Sequence, residues 1–172
     1  SSLNDLAALY LKMGYYGKAE PLLLEVLSIR GNILGKEHPD YAASLNNLGV
    51  LYEDMGRYEE AEPVFLTTEA IREKTLGKKH REYMASLNNL ATLYLKMGNY
   101  SEAERLFLEA KTIVEETVGK EHFDYVAPLI NLATLYRNTD SFDKAEDLSL
   151  EAKVVLEKTG GKEHPSYALN LD

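Results

Sequence analysis

Beginning at Tyr41, apolar residues fall at Tyr41, Leu45, Leu48, Tyr52 and Met55, at steps of four, three, four and three. That spacing keeps one face of an α-helix apolar. His38-Pro39-Asp40 ahead of it supplies a start, because proline fits the first helical turn, and Gly56 behind it supplies a left-handed stop. A first helix is therefore predicted from Pro39 to Met55. After Gly56-Arg57 a second series, Tyr58, Ala61, Phe65, Thr68, Ile71 and Thr75, predicts a helix of similar length ending at Gly77. Two helices joined by so short a turn pack antiparallel, and small residues where they cross allow close approach.

The same pattern returns along the whole chain. Leu3-Asn4-Asp5-Leu6 recurs as Leu45-Asn46-Asn47-Leu48, Leu87-Asn88-Asn89-Leu90 and Leu129-Ile130-Asn131-Leu132, a period of 42 residues (3 to 45, 45 to 87, 87 to 129). The block Gly35-Lys36-Glu37-His38 returns at Gly77, Gly119 and Gly161 in the same step. A fixed period of this length marks a solenoid, which stacks one small unit into an extended surface suited to binding. The chain reads as one array over 1–172, with units at about 1–38, 39–80, 81–122 and 123–164, and 165–172 opening a truncated fifth. Ala7, Gly49, Ala91 and Ala133 on the first helices, and Ala19, Ala61, Ala103 and Ala145 on the second, are the expected crossing points.

The combination Leu48-Gly49, Tyr52, Gly56, Tyr58 and Ala61, in four tandem copies, resembles the tetratricopeptide repeat. The eight residues beyond that family's usual unit are absorbed by longer helices. Leu-Asn-Asn-Leu, Ala61-Glu62-Pro63 with Ala19-Glu20-Pro21, and the Gly-Lys-Glu-His link are similar to the kinesin-light-chain class of these repeats, although Arg105 and Asp147 replace the proline later. The resemblance implies an all-α fold, a right-handed α-solenoid of stacked antiparallel helix pairs whose first helices line a concave groove. Repeat four departs most. Phe123 takes the proline's place and Pro128 stands where Ser44 and Ser86 do, so this helix is expected to kink or to begin late, near Ala127. Thr139-Asp140 replaces Met-Gly at the turn, where Asp140 or Ser141 is expected to cap the next helix.

On that architecture, residues one helical step off the core face point into the groove. In the second unit these are Asn46, Asn47, Val50, Glu53 and Asp54. Their counterparts are Asn4, Asp5, Ala8, Leu11 and Lys12; Asn88, Asn89, Thr92, Leu95 and Lys96; and Ile130, Asn131, Thr134, Arg137 and Asn138. Asparagine inside a helix costs about 0.5 kcal/mol against alanine, so two per unit ask for a reason. One reason is function. An amide both donates and accepts, and a ladder of amides on helices roughly 10 Å apart suits an extended peptide of roughly 6 to 10 residues. The other reason is construction, with the asparagines retained by descent or bonded to the neighbouring unit to set the stacking. Glu53 and Asp54 face Lys96 and Arg137 along the groove, so a bound peptide should turn basic residues to the former and acidic residues to the latter. Some relatives in the wider family clamp a terminal carboxylate, but Asn4, Ala8 and Ala85 stand where that clamp needs lysine, asparagine and lysine, and only Asn47 agrees.

Catalytic signals are weak throughout. His38, His80, His122 and His164 recur once per unit, too far apart to share a metal, and read as helix-start caps or contacts between repeats. The Gly-Lys pairs lack the remainder of a phosphate-binding loop and read as helix stops. Tyr10, Tyr52, Tyr94 and Tyr136, and likewise Tyr16, Tyr58 and Tyr100, are expected in the core. No carboxylate stands isolated on an apolar face. The reading is a non-enzyme without cofactor or metal.

Composition narrows the partners. A net charge of −9 and the absence of any Lys/Arg run disfavour nucleic acid. No apolar stretch is long enough to span a bilayer. The lack of cysteine fits a reducing, cytoplasmic setting, with a targeting segment upstream of Ser1 left open. The expected partner is a protein or peptide segment. Two alternatives stand beside it, end-to-end self-association through apolar end faces and regulation of a further domain in a larger protein.

Overall fold

The computed structural model describes residues 2–159. Gly161, His164 and the fifth unit, with Tyr167 and Ala168, lie outside them. The described residues form eight α-helices and one short 3₁₀ turn, without a β-strand: α1 Ser2–Lys12, α2 Tyr16–Ile33, α3 Pro39–Asp54, α4 Tyr58–Leu76, α5 Arg81–Lys96, α6 Tyr100–Val118, the 3₁₀ turn Phe123–Tyr125, α7 Val126–Asn138 and α8 Phe142–Lys158. The odd-numbered helices are the first helices of the repeats and the even-numbered ones the second. Predicted and observed limits agree closely in the second repeat. Met55 caps α3 and Gly77 caps α4, and Gly56 takes the left-handed φ of 72° that ends the first helix. None of these helices is long and apolar enough to cross a membrane.

Backbone packing divides the chain into two compact units, 1–93 and 94–172, with the division inside α5. In the first unit α1 packs on α2, α2 on α3 and α3 on α4. Ala7, Leu23, Ala42, Leu45, Leu48, Leu51 and Ile71 join in one buried cluster. The crossing of α3 and α4 is the tightest place. A Cβ at Gly49 would lie 2.6 Å from the buried Phe65 ring, so this crossing accepts no side chain. All eight small positions named from the sequence are buried.

A polar seam links successive repeats in this unit. Arg30, near the end of α2, donates from Nη1 to the Asp40 carbonyl and to Ser44 Oγ, both at 2.7 Å. Arg72 holds the equivalent place at the end of α4 and donates from Nη1 to the Glu82 carbonyl at 3.0 Å. First-turn carbonyls of a following helix are thereby gripped by a cation from the helix before it.

In the second unit α6 packs on α7 and α7 on α8. Here the seam turns apolar. Val114 stands in the arginine's place and Pro128 in the serine's, and both are buried. Pro128 is the third residue of α7, where a backbone N–H would have no partner within the helix, so the ring costs nothing there. The late start expected near Ala127 is observed at Val126, after the 3₁₀ turn.

Three expectations need correction. Asp140 does not cap α8. It takes the left-handed φ of 56° in the place that Gly14, Gly56 and Gly98 hold elsewhere. Ser141 stands at the N-cap position, but its hydroxyl donates back to the Thr139 carbonyl at 3.4 Å and caps nothing. Of the seven tyrosines expected in the core only Tyr94 is buried; Tyr10, Tyr16, Tyr52, Tyr58 and Tyr136 are half-buried, and Tyr100, at the start of α6, is 43% exposed.

Candidate functional site

The asparagines of the first unit meet in pairs across neighbouring first helices. Asn47 Nδ2 on α3 donates to Asn4 Oδ1 on α1 at 3.3 Å, and Asn89 Nδ2 on α5 donates to Asn46 Oδ1 on α3 at 2.8 Å. All four are half-buried. Each pair leaves amide capacity over, since an asparagine carries two N–H donors and a carbonyl with two lone pairs.

Arg72 enters this arrangement from the second helix. Its Nη1 also donates to Asn46 Oδ1 at 3.3 Å, and its Nε lies 3.7 Å from Glu82 Oε2 without a hydrogen-bond partner. The side chain is almost wholly enclosed, the residue being 6% exposed. Burial pushes its pKa below the usual arginine value, and the Glu82 carboxylate opposes that shift. Sequence reasoning missed this residue, because an arginine in a helix pattern is read as an exposed polar position. A signal was available: the same register holds Arg30, then Val114 and Leu156, an exchange that only a buried position makes natural.

The other predicted positions of this unit are less organised. Val50 and Glu53 are half-buried, Asp54 is exposed, and Asn88 is half-buried. Thr92 is half-buried, but its hydroxyl donates to its own helix at the Asn88 carbonyl, 2.8 Å away. In the second unit Asn131 and Thr134 are half-buried, while Lys96, Arg137 and Asn138 are exposed. Thr134 also turns its hydroxyl inward, to the Ile130 carbonyl at 2.9 Å.

The histidines act as the sequence suggested. His38, His80 and His122 each accept the backbone N–H two residues on, from Asp40, Glu82 and Asp124, through Nδ1 at 3.1 to 3.2 Å. Among the described residues no three metal-binding side chains gather. Away from the asparagines, Tyr136 donates to Glu104 Oε1 at 2.6 Å, with Lys144 over its ring. Burial, then Glu104, pushes the Tyr136 hydroxyl up to about 12.

Stacked helix pairs with repeated half-buried amides on their first helices define an all-α solenoid, a class of scaffold that binds other proteins. The tetratricopeptide repeat family matches residues 1–74, 52–116 and 82–158, and the chain belongs to that family. No curated protein matches it. Among solved structures, the nearly identical TPR-like repeats assigned to a kinesin light chain of Podosopora anserina are similar to it. They share 31% identity and a TM-score of 0.83, with 98% of this chain and 80% of that one covered. A single-substitution variant of the same repeats matches equally. BtubC (BKLC) from P. vanneervenii is 22% identical over 99% of this chain and 76% of its own, with a TM-score of 0.76, and shares the fold. The repeats are of the kinesin-light-chain-like kind.

Proposed function

We propose that the chain is a non-catalytic, cytoplasmic adaptor that takes an extended segment of a partner protein on its first-helix faces. The paired asparagines carry this reading: Asn4, Asn46, Asn47 and Asn89 bring half-exposed amides together on three consecutive first helices. Their remaining donors and acceptors match what a peptide backbone presents, whatever its side chains. A segment on the first unit places a basic residue by Glu53 and Asp54. A segment on the second places an acidic one by Lys96 and Arg137.

The test is selection from a random peptide library by the wild-type chain and by Asn47→Ala/Asn89→Ala, with urea unfolding as a control for folding. A consensus recovered by the wild type and lost in the folded variant is the expected result. No consensus for the wild type, or one that survives in the variant, rejects the reading.

A second reading rests on an exposed apolar face of α1. Leu6 and Leu9 are 39% and 51% exposed, whereas Leu48, Leu51, Leu90, Leu93, Leu132 and Leu135 at the same two places are buried. Such a face would support end-to-end assembly between copies. Sedimentation distinguishes the two. Concentration-dependent association abolished by Leu6→Glu, with peptide selection absent, favours assembly.

A further inference from the structure

We infer that Arg72 is a positioning residue that fixes the polarity of the Asn46–Asn89 pair, turning the free edge of Asn46 into a hydrogen-bond donor. The inference deepens the peptide-binding reading and rests on it for its consequence, but its geometric premise is independent of any ligand.

An isolated pair of asparagines has no preferred direction, because rotating both amides by half a turn exchanges donor and acceptor without losing the bond. The pair Asn4–Asn47 is of this kind, with no third group described at either amide. Asn46 differs. A guanidinium has five donors and no acceptor, so the Asn46 atom facing Arg72 must be oxygen. With Oδ1 turned to Arg72, Asn89 can reach that oxygen only with its own Nδ2, at 2.8 Å. Asn46 Oδ1 then receives two donors, and Asn46 Nδ2 has no partner among the described residues. Asn89 Oδ1 is likewise left as an acceptor. The exposed edges therefore read donor on α3 and acceptor on α5, in a fixed order. Arg72 itself is enclosed and does not touch a ligand.

The order has a chemical consequence. A segment crossing α3 is met by an N–H donor and so places a backbone carbonyl, or a side chain that accepts, at Asn46. Val114 and Leu156 replace the arginine in the later repeats, so the device belongs to the first unit.

The test uses the full ¹⁵N-labelled chain and two variants. Arg72→Met removes the donor while keeping a buried apolar stem. In wild type the Asn46 side-chain N–H signals are expected to be single and slow to interchange. In Arg72→Met they shift and interchange faster, with backbone signals remote from residue 72 unmoved. Unchanged Asn46 signals in that variant overturn the inference.

Asn46→Asp guards against a variant that does not fold, since a carboxylate still accepts from Arg72 and Asn89 but offers no donor. A peptide selected by the wild type is expected to bind Asn46→Asp and Arg72→Met about two- to tenfold more weakly, the size of one hydrogen bond lost or misdirected. Equal binding by Asn46→Asp overturns the donor assignment. If the wild type selects no peptide, the functional reading fails while the amide signals still decide the polarity.

Discussion

The Phe65 ring leaves no room for a methyl group at position 49, so Gly49→Ala is expected to lower stability by roughly 1–3 kcal/mol even though alanine by itself favours a helix by about 1 kcal/mol. Adding Phe65→Leu should recover most of that loss, because the first repeat pairs Ala7 with Leu23 at these same places. Urea unfolding of the two single variants and the double variant checks the coupling. At the last turn the strain has the opposite remedy. Asp140 holds a left-handed backbone that glycine adopts freely, so Asp140→Gly should stabilise by about 0.5–1 kcal/mol, read from the same transitions. Tyr136 links stability to alkali. Its hydroxyl is raised from the ordinary 10 to about 12, so the folded state favours the neutral form. The contribution is complete below the unfolded value and is lost as pH rises through the folded one. Wild type minus Tyr136→Phe should therefore shrink between pH 10 and about 12 in denaturation midpoints.

Whole helices follow from short signals. Each histidine cap satisfies a backbone N–H that its helix cannot, and His80→Ala should cost about 1 kcal/mol, whereas His80→Asn should cost little, by thermal unfolding. The helices were largely legible in the sequence for this reason. Apolar steps of three and four, a proline or histidine before them and a glycine after them are local signals, and they placed α3 and α4 to within a residue. Pro128 was legible too, because the restriction on proline is local. What escaped belongs to contacts between elements. Arg72 is buried in place and charged in its chemistry, and no pattern along one helix shows that a neighbouring helix will close over it. Nor could the sequence decide whether the asparagines face a ligand or one another. The structure joins two pairs of them across helices, which serves the stacking and still leaves edges for a segment to use.

For the molecule as a whole, the charge of −9 sets how partners arrive. A segment bearing lysine or arginine for Glu53 and Asp54 is attracted before contact, and salt shortens the reach of that attraction from about 10 Å at 0.1 M to about 3 Å at 1 M. Its association rate on the first unit should fall by about tenfold over that range, with dissociation much less affected, in stopped-flow or surface-binding traces. A rate indifferent to salt would leave the acidic pair out of recognition.

The seam between repeats bears on ancestry. Arg30 with Ser44 is a polar joint, and Val114 with Pro128 is an oily one. Recombination that dropped the third copy would set Arg72 against Pro128 and leave a cation without the helix start it now grips, whereas loss of the second copy would bring Arg30 to Ser86 and restore the same joint. Divergence of the joints thus ties the fourth copy to the third, while the first three still share one kind of joint.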